Sequence, residues 1–172
     1  MSILTTVVGS YPTPQWLFNN TSRGALRDAI MVVLKTQELA GIDVVADGEL
    51  NRFDPSHPET NGMIDYFISR MAGIRTKFSV SDIREFRADA QLTYRTDPAG
   101  IVYDEVGEGL LNLQRDYDFT KALTKSKIKF TCTGPHMLTK VLTDRFYKKR
   151  DVLCLAIAGV LRAQLEMAGE AQ

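Results

Sequence analysis

The sequence lacks the features of a membrane or secreted protein. No apolar run approaches the roughly 20 residues that a membrane-spanning helix needs, and no charged-then-apolar leader opens the chain. Only two cysteines, Cys132 and Cys154, are present; they stand far apart without C-x-x-C spacing, so we expect reduced, buried, core-type residues. The only two histidines, His57 and His136, are also isolated, and no spacing matches a zinc motif. These absences predict a cytoplasmic protein that does not act at a membrane.

The chain also lacks an excess of charge of either sign. It has 21 basic and 21 acidic residues, which gives a formal net charge of zero. A neutral total argues against a nucleic-acid binder, because such binders gain affinity from counterion release by many basic side chains. At 172 residues, 44% apolar and 24% charged, the chain has an ordinary globular composition and can bury a real core. We therefore expect a single domain with a small-molecule substrate.

The first forty residues predict a strand followed by a helix. Ile3–Val8 is β-branched and ends at a glycine, as a short buried strand does. Tyr11–Asn20 contains two prolines and is predicted to be a loop. A helix capped by Thr21 or Ser22 should then run to about Ala40, because its apolar residues repeat along one helical face.

A second strand follows at once. Gly41 suits the position just after the end of a helix, and Ile42–Ala46 reads as a buried strand. Strand, helix and strand with short links form a βαβ unit, whose two strands should be parallel. We expect further helices over Met63–Met71, Leu110–Leu123, Met137–Leu142 and Lys149–Ala168 (capped by Gly169), a hairpin-like excursion of Phe86–Thr93 with Ile101–Val106, and an inner strand over Ile128–Thr133.

Three of these strands end in a glycine beside polar residues. The junctions are Val8-Gly9-Ser10, Asp47-Gly48-Glu49 and Thr133-Gly134-Pro135. In a parallel α/β fold the carboxyl ends of the strands lie on one face, so we expect the polar groups of the three junctions to converge there. The sequence therefore predicts a site at this face.

Glu49 is the strongest candidate for a functional residue. A carboxylate at a strand end can bind a substrate ammonium through a charge-assisted hydrogen bond, although it can equally be a loop carboxylate paired with Arg52. Asp47 can cap or orient the same turn. The hydroxyl and backbone N–H of Ser10 can hold a substrate carboxylate, and the alternative is an ordinary turn serine. His57, in a proline-rich loop, can ligate a metal or shuttle a proton, although a lone loop histidine more often does neither; His136 is closer to the expected site face but is a single imidazole there.

Taken in order, these motifs resemble the catalytic barrel of the cobalamin-independent methionine synthase family. The matching segments, which leave a divergent middle from about residue 75 to 126, are Thr5-Thr6-Val7-Val8-Gly9-Ser10-Tyr11-Pro12, Gln37 to Glu49, Asn51-Arg52, Met63 to Phe67, Thr133-Gly134-Pro135 and Arg162 to Gly169. The resemblance implies the first part of a (β/α)8 barrel. Such a barrel needs about 250 residues, so this one would be partial and completed by a partner chain or a missing segment.

The resemblance also implies roles for individual residues. Val8, Gly9 and Ser10 would contact the amino-acid part of homocysteine, and Glu49 would bind its ammonium. The residues that would line the site are Asp47, Arg52, Thr133, Gly134 and His136. In this family a methyl group passes to a thiolate on zinc, which lowers the thiol pKa.

The chain departs from the family in its metal and methyl-donor sites. The zinc ligands and catalytic histidine of the family would lie beyond this chain, so we assign no metal ligand and no catalytic residue within it. Val141 stands where the family has a folate-stacking tryptophan. The donor is therefore either folate or a corrinoid protein, and the acceptor is homocysteine or another thiol, as in epoxyalkane:coenzyme M transferases.

Three explanations account for half a barrel. The chain can be a fragment of a longer enzyme, one subunit of a split enzyme whose partner brings zinc, or a self-associating relative that binds without catalysis. An open parallel sheet exposes an edge, so each explanation requires a covering partner or a homo-oligomer.

Overall fold

A computed structural model describes residues 3–20, 22–54, 57, 60–89 and 94–170; residues 168–170 are described as backbone only. The described residues group into two compact units. The first runs up to Gly62 and includes Arg115–Thr131, and the second comprises Met63–Gln114 with the residues from Cys132 onward. The prediction of a single domain stays a prediction.

Seven α-helices and five short strands make up the described chain. The helices are α1 (Gln15–Asn19), α2 (Arg23–Leu39), α3 (Asp65–Ile68), α4 (Val80–Ala88), α5 (Leu113–Lys121), α6 (Pro135–Thr139) and α7 (Arg150–Glu170). The strands are β1 (Val44–Val45), β2 (Ala72–Arg75), β3 (Gly100–Gly107), β4 (Lys127–Ile128) and β5 (Leu142–Asp144). None of the described helices has the length and apolar character to span a membrane.

The first unit is built around α2, as the sequence predicts. The Ser22 hydroxyl accepts a hydrogen bond from the Ala25 amide at 3.1 Å, so it caps the helix. Gly41 takes a positive φ of 76° just beyond the helix, a conformation that glycine adopts without strain. β1 and β4 pair in parallel. The core of this unit consists of Leu17, Ala25, Ala29, Ile30, Val33, Leu34, Val45 and Leu50.

The strands of the first unit are shorter and more exposed than predicted. Ile3–Val8 is not a buried strand, since Val8 is 87% exposed and Thr6 alone forms a bridge, to Val44. Its β-branched sequence favours extended backbone, but within the described residues only one neighbouring strand covers it. The predicted strands Ile42–Ala46 and Ile128–Thr133 shrink to β1 and β4, respectively. The parallel bridge to Val44 nevertheless confirms the direction expected of a βαβ unit.

The predicted loop Tyr11–Asn20 contains a helix, so that prediction was wrong. Pro14 is the N-cap of α1 and therefore lies outside the hydrogen-bonded turns, where a proline does not break the helix. Leu17, buried on α1, belongs to the core that α2 also lines. Burial of this one apolar side chain thus favours a turn of helix in a proline-containing segment.

The second unit contains a mixed sheet in the order β2-β3-β5. β2 pairs with β3 antiparallel, and β5 pairs with β3 in parallel. Its buried apolar residues are Ile64, Tyr66, Phe67, Ile68, Met71, Phe86, Ala99, Ile101, Val102, Val106, Leu111, Leu113, Leu138, Val141, Leu142, Leu153, Ile157, Val160 and Leu161.

The predicted hairpin of Phe86–Thr93 with Ile101–Val106 is wrong in its first arm. Phe86 lies in α4, which begins with a capping box formed by Ser79 and Asp82. Those two residues fix a helix start six residues before the predicted strand begins, while 90–93 lie outside the described residues. The second arm is correct, and it pairs with β2 and β5, neither of which was predicted.

The remaining helices are present, with changed ends. Met63–Met71 contracts to α3, Leu110–Leu123 to α5, and the segment predicted over Met137–Leu142 becomes α6 followed by β5. α7 continues through Gly169, so this glycine does not cap it. Neither cysteine forms a disulfide, both are only half-buried, and Cys132 lies outside the strands, so neither is the buried core residue expected.

The architecture is therefore α/β with two small sheets. Neither of the sheets that the described residues form closes into a barrel. The α/β class is confirmed, and a partial (β/α)8 barrel stays a prediction.

Candidate functional site

The first two glycine motifs lie side by side in the first unit. The Asp43 carboxylate accepts hydrogen bonds from the Thr5 amide at 2.8 Å and from its hydroxyl at 2.7 Å. These bonds hold the pKa of Asp43 below its ordinary value, with the backbone bond the main cause. Further along, the Tyr11 amide donates to the Gly48 carbonyl at 2.9 Å. The two segments are thus joined on both sides of the Gly9-Ser10 turn.

A buried glutamine fixes the end of β1. The Gln37 side chain on α2 is 1% exposed. Its amide nitrogen donates to the Ala46 carbonyl at 2.8 Å, and its amide oxygen accepts from the Ala46 N–H at 2.9 Å. The side chain therefore takes the place of a neighbouring strand at the residue where the functional turn begins.

The turn after Ala46 holds Glu49 in an unusual conformation. Gly48 and Glu49 both have left-handed backbones, with φ of 70° and 61°. Asp47 supports them, because its carboxylate accepts from the Glu49 amide at 2.9 Å and from the Asn51 side chain at 3.0 Å. Burial raises the pKa of Asp47. A non-glycine residue in this region costs about 1–3 kcal/mol, a strain that tends to occur at functional sites.

Both oxygens of the Glu49 carboxylate are engaged. Ser10 donates its hydroxyl to Oε2 at 2.6 Å, and Thr131 donates its hydroxyl to Oε1 at 2.9 Å. Arg52 lies 3.6 Å from Oε1 through Nη1. A carboxylate has about four acceptor positions, so two hydroxyl bonds and one long ion pair leave capacity for a ligand donor.

Arg52 is the buried residue that contacts both Glu49 and Thr131. Its side chain is 3% exposed, and the guanidinium lies 5.3 Å from the centre of the Phe130 ring. Nη2 donates to the Thr131 carbonyl and, at 3.0 Å, to the Thr131 hydroxyl. The ion pair with Glu49 proposed as an alternative from the sequence is thus present, but the shorter contacts of the arginine go to Thr131.

The cluster has an open side. Glu49 has 12% of its side chain exposed, and the preceding motif, Val8, Gly9 and Ser10, is exposed. Gly9 has a φ of 99°, and no atom lies within 4 Å of the place where a Cβ would stand. A ligand can therefore approach the backbone at Gly9 while it contacts Ser10 and Glu49.

The other predicted site residues belong to the second unit. Thr133 is buried and donates its hydroxyl to the Met63 carbonyl at 2.5 Å. Gly134 is the N-cap of α6, and His136 is an exposed residue in that helix. The site that the structure assembles from the predicted residues thus consists of Ser10, Asp47, Glu49 and Arg52, with Gly9 and Val8 at its edge.

Sequence reasoning missed three residues of this site. Thr131 lies inside a segment predicted as a strand and carries no motif, so only the fold brings it to Glu49. Gln37 and Asp43 stand within the matched segment Gln37 to Glu49, and a polar residue on the buried face of a helix or at the start of a buried strand is a signal that it has a partner. Gln37 pairs with the Ala46 backbone, and Asp43 pairs with both the backbone amide and the hydroxyl of Thr5.

The described residues contain no group of three or more His, Cys, Asp or Glu side chains placed to hold a metal ion. The donor set around Glu49 consists of hydroxyls and an arginine beside its one carboxylate, which does not fit zinc. The chemistry available to this cluster is therefore recognition of a cationic group.

Comparison with known proteins finds a family that matches nearly the whole chain. The family described as "Cobalamin-independent synthase, Catalytic domain" matches residues 3–171. The methionine synthases of Sulfurisphaera tokodaii and Thermococcus kodakarensis are 28% and 27% identical over 180 residues, which cover 97% and 95% of this chain.

The chain is also similar to a solved methionine synthase structure. The B12-independent methionine synthase from Shewanella sp. W3-18-1, in complex with selenomethionine, matches with a TM-score of 0.73 and 26% identity over 97% of this chain. The match covers 48% of that structure and 48% and 47% of the two archaeal relatives, so the chain spans about half the length of the proteins it resembles.

Proposed function

Because this chain belongs to the cobalamin-independent synthase catalytic-domain family, we propose that it binds the amino-acid part of a thiol substrate for methyl transfer. The substrate is homocysteine or a closely similar amino-acid thiol. The observation that supports this proposal most is the Glu49 carboxylate, which is held in a strained turn by Ser10 and Thr131 beside an open glycine turn.

Each group of the cluster has a chemical role in this proposal. Glu49 accepts hydrogen bonds from the substrate ammonium, and the Ser10 hydroxyl and backbone contact the substrate carboxylate. Gly9 and Val8 line the path by which the substrate reaches Ser10 and Glu49. Arg52 and Thr131 orient Glu49 and keep its charge in place. These residues position the substrate, and none of them takes part in breaking or forming a bond.

An ammonium-bearing substrate fits this cluster better than the alternative thiol, coenzyme M. Coenzyme M carries a sulfonate and no ammonium, so a negative Glu49 would repel it rather than bind it. The relative from Shewanella was solved with selenomethionine, an amino acid that has the same ammonium and carboxylate as homocysteine.

The rest of the reaction site requires residues beyond those that the described part of the chain brings together. We place the zinc ligands of a complete methyltransferase site, and the surface that binds the methyl donor, in a second polypeptide or a further segment, since the chain spans about half of its relatives. Val141, at the position of the family's folate-stacking tryptophan, is aliphatic and buried, so it cannot stack on folate as an aromatic ring would. The methyl donor, folate or a corrinoid protein, is left open.

The binding proposal can be tested by NMR titration of the chain with L-homocysteine. Glu49→Gln preserves the shape of the side chain and removes its charge, so we expect affinity to fall by about 1.5–3 kcal/mol, roughly tenfold to 150-fold. Glu105→Gln, at an exposed glutamate of the second unit, is the control and should bind like the parent. Equal affinity of the parent and Glu49→Gln would refute the assignment.

The partner proposal needs a separate measurement. Native mass spectrometry with zinc analysis, on protein purified from its source, should find the chain together with a second polypeptide and stoichiometric zinc. A zinc-free homo-oligomer would instead favour the second candidate, a binding or scaffold protein without catalysis.

A further inference from the structure

The two oxygens of the Glu49 carboxylate have unlike surroundings. Oε1 accepts a hydrogen bond from the Thr131 hydroxyl at 2.9 Å and has Arg52 Nη1 at 3.6 Å. Oε2 accepts a hydrogen bond from the Ser10 hydroxyl at 2.6 Å, and no other group of the described residues bonds it. One oxygen is thus held by two groups and the other by a single hydroxyl.

The Thr131 hydroxyl is fixed in its direction. It accepts a hydrogen bond from Arg52 Nη2 at 3.0 Å, because a guanidinium can only donate. A hydroxyl carries one proton, so that of Thr131 goes to Oε1 of Glu49. Nη2 also bonds the Thr131 carbonyl, and the arginine side chain is only 3% exposed. A buried cation therefore holds this side of the carboxylate in place, and Oε1 is the oxygen that anchors Glu49.

The Ser10 hydroxyl, by contrast, can change its acceptor. Ser10 is exposed, and within the described part of the chain Glu49 is the one hydrogen-bond partner of its hydroxyl. The neighbouring Gly9 leaves open space, since no atom lies within 4 Å of the place where a Cβ would stand. Rotation to another staggered position can therefore turn the proton away from Glu49 without breaking any other hydrogen bond. A ligand that approaches from this side meets Ser10 and Oε2 together.

An α-amino acid brings two groups that act on this pair. Its ammonium donates to Oε2 of Glu49, while its carboxylate accepts from Ser10. The single proton of the Ser10 hydroxyl cannot form full hydrogen bonds with Glu49 and with the ligand carboxylate at once. The ammonium thus replaces, at Oε2, the donor that the ligand carboxylate takes away. A simple amine offers Ser10 no acceptor, so it has to share Oε2 with the hydroxyl.

We propose that the Ser10 hydroxyl selects ligands with an ammonium and a carboxylate on the same carbon, by passing its hydrogen bond from Glu49 to the ligand. Before binding, the hydroxyl occupies Oε2; in the complex it donates to the ligand carboxylate, and Oε2 accepts the ammonium. The exchange rests on the proposed function, since Glu49 must be the acceptor of the ammonium. Ser10 thereby adds to the preference for α-amino-acid thiols over aminothiols of the same length, whereas Thr131, locked on Oε1, does not.

The test compares L-homocysteine with 3-aminopropane-1-thiol, which is homocysteine without its carboxylate, in NMR titrations of the chain. Ser10→Ala should raise the affinity for the aminothiol by about two- to tenfold, because its ammonium no longer shares Oε2 with a hydroxyl. The affinity for homocysteine should not rise, since the lost bond to its carboxylate offsets the same gain at Oε2. The preference for homocysteine over the aminothiol should therefore fall by about two- to tenfold.

Thr131→Val removes the other hydroxyl donor of Glu49 and is the matched variant. It should change the affinities for the two ligands by the same factor and so keep the preference of the parent, as should Ser69→Ala at an exposed serine of the second unit. A loss of affinity common to both ligands in Ser10→Ala, or a preference equal to that of the parent, would overturn the exchange while the proposed function stands. If the parent binds neither ligand, the proposed function fails and the exchange fails with it.

Discussion

Gln37 offers the sharpest test of how the fold presents Glu49. Replacing it with methionine keeps the side-chain volume and removes both hydrogen bonds to Ala46, at 2.8 and 2.9 Å. Each of the two buried Ala46 groups that lose a partner costs about 1–3 kcal/mol, so the free energy of unfolding should fall by about 2–6 kcal/mol. Urea denaturation of the full chain, followed by circular dichroism, measures this loss.

Gln15 provides the control for this substitution. It lies exposed on α1 in the same unit, so Gln15→Met should change the free energy of unfolding by no more than about 0.5 kcal/mol. If Gln37→Met destabilises the chain no more than Gln15→Met does, the glutamine does not hold the end of β1 and the account of the Glu49 turn fails.

Three further predictions follow from individual contacts. Gly48→Ala should destabilise the chain by about 1–3 kcal/mol in urea denaturation, because φ is +70° and the new Cβ would lie 2.8 Å from the Tyr11 Cβ. Because the pKa of Asp43 is lowered in the folded chain, its carboxylate stabilises the fold at pH values above about 4, the ordinary pKa of an aspartate. This stabilisation is lost as the pH falls through the pKa of Asp43 in the folded chain, so Asp43→Asn should make the free energy of unfolding depend less on pH in acid. The hydrogen bond from the Ser79 amide is the main cause of the strongly lowered pKa of Asp82, so the ionised carboxylate of Asp82 also stabilises the fold at neutral pH. Asp82→Asn should therefore speed amide exchange at the start of α4 at neutral pH. An unchanged melting curve, acid slope or exchange rate would contradict the respective contact.

The sequence predicts the elements that local signals determine. α2, its Ser22 cap and the glycine that ends it follow from periodicity and capping chemistry. The same logic applied to Ser79 and Asp82 would have found α4, whose capping box the hydrophobic pattern of the later residues obscured. The contact of Ser10 with Glu49 is the part of the predicted convergence that the first unit contains.

What the sequence does not predict depends on pairing across long separations. The second sheet brings β2 beside β3 and β3 beside β5, and no short-range pattern specifies those partners. Thr131 reaches Glu49 from 82 residues away. The Ile3–Val8 segment has the composition of a buried strand but is short and exposed. Composition indicates which environment a residue prefers, and it does not specify which part of the chain covers that residue.

Recognition of an ammonium group by Glu49 is the central claim, and one thermodynamic cycle tests it most directly. The affinities of L-homocysteine and its deaminated analogue 4-mercaptobutanoate are measured for the parent chain and for Glu49→Gln. The parent should prefer homocysteine by about 1.5–3 kcal/mol, and the variant should show little preference. If Glu49→Gln retains the full preference of the parent, or if the parent has none, Glu49 does not bind the ammonium and the proposed site is wrong.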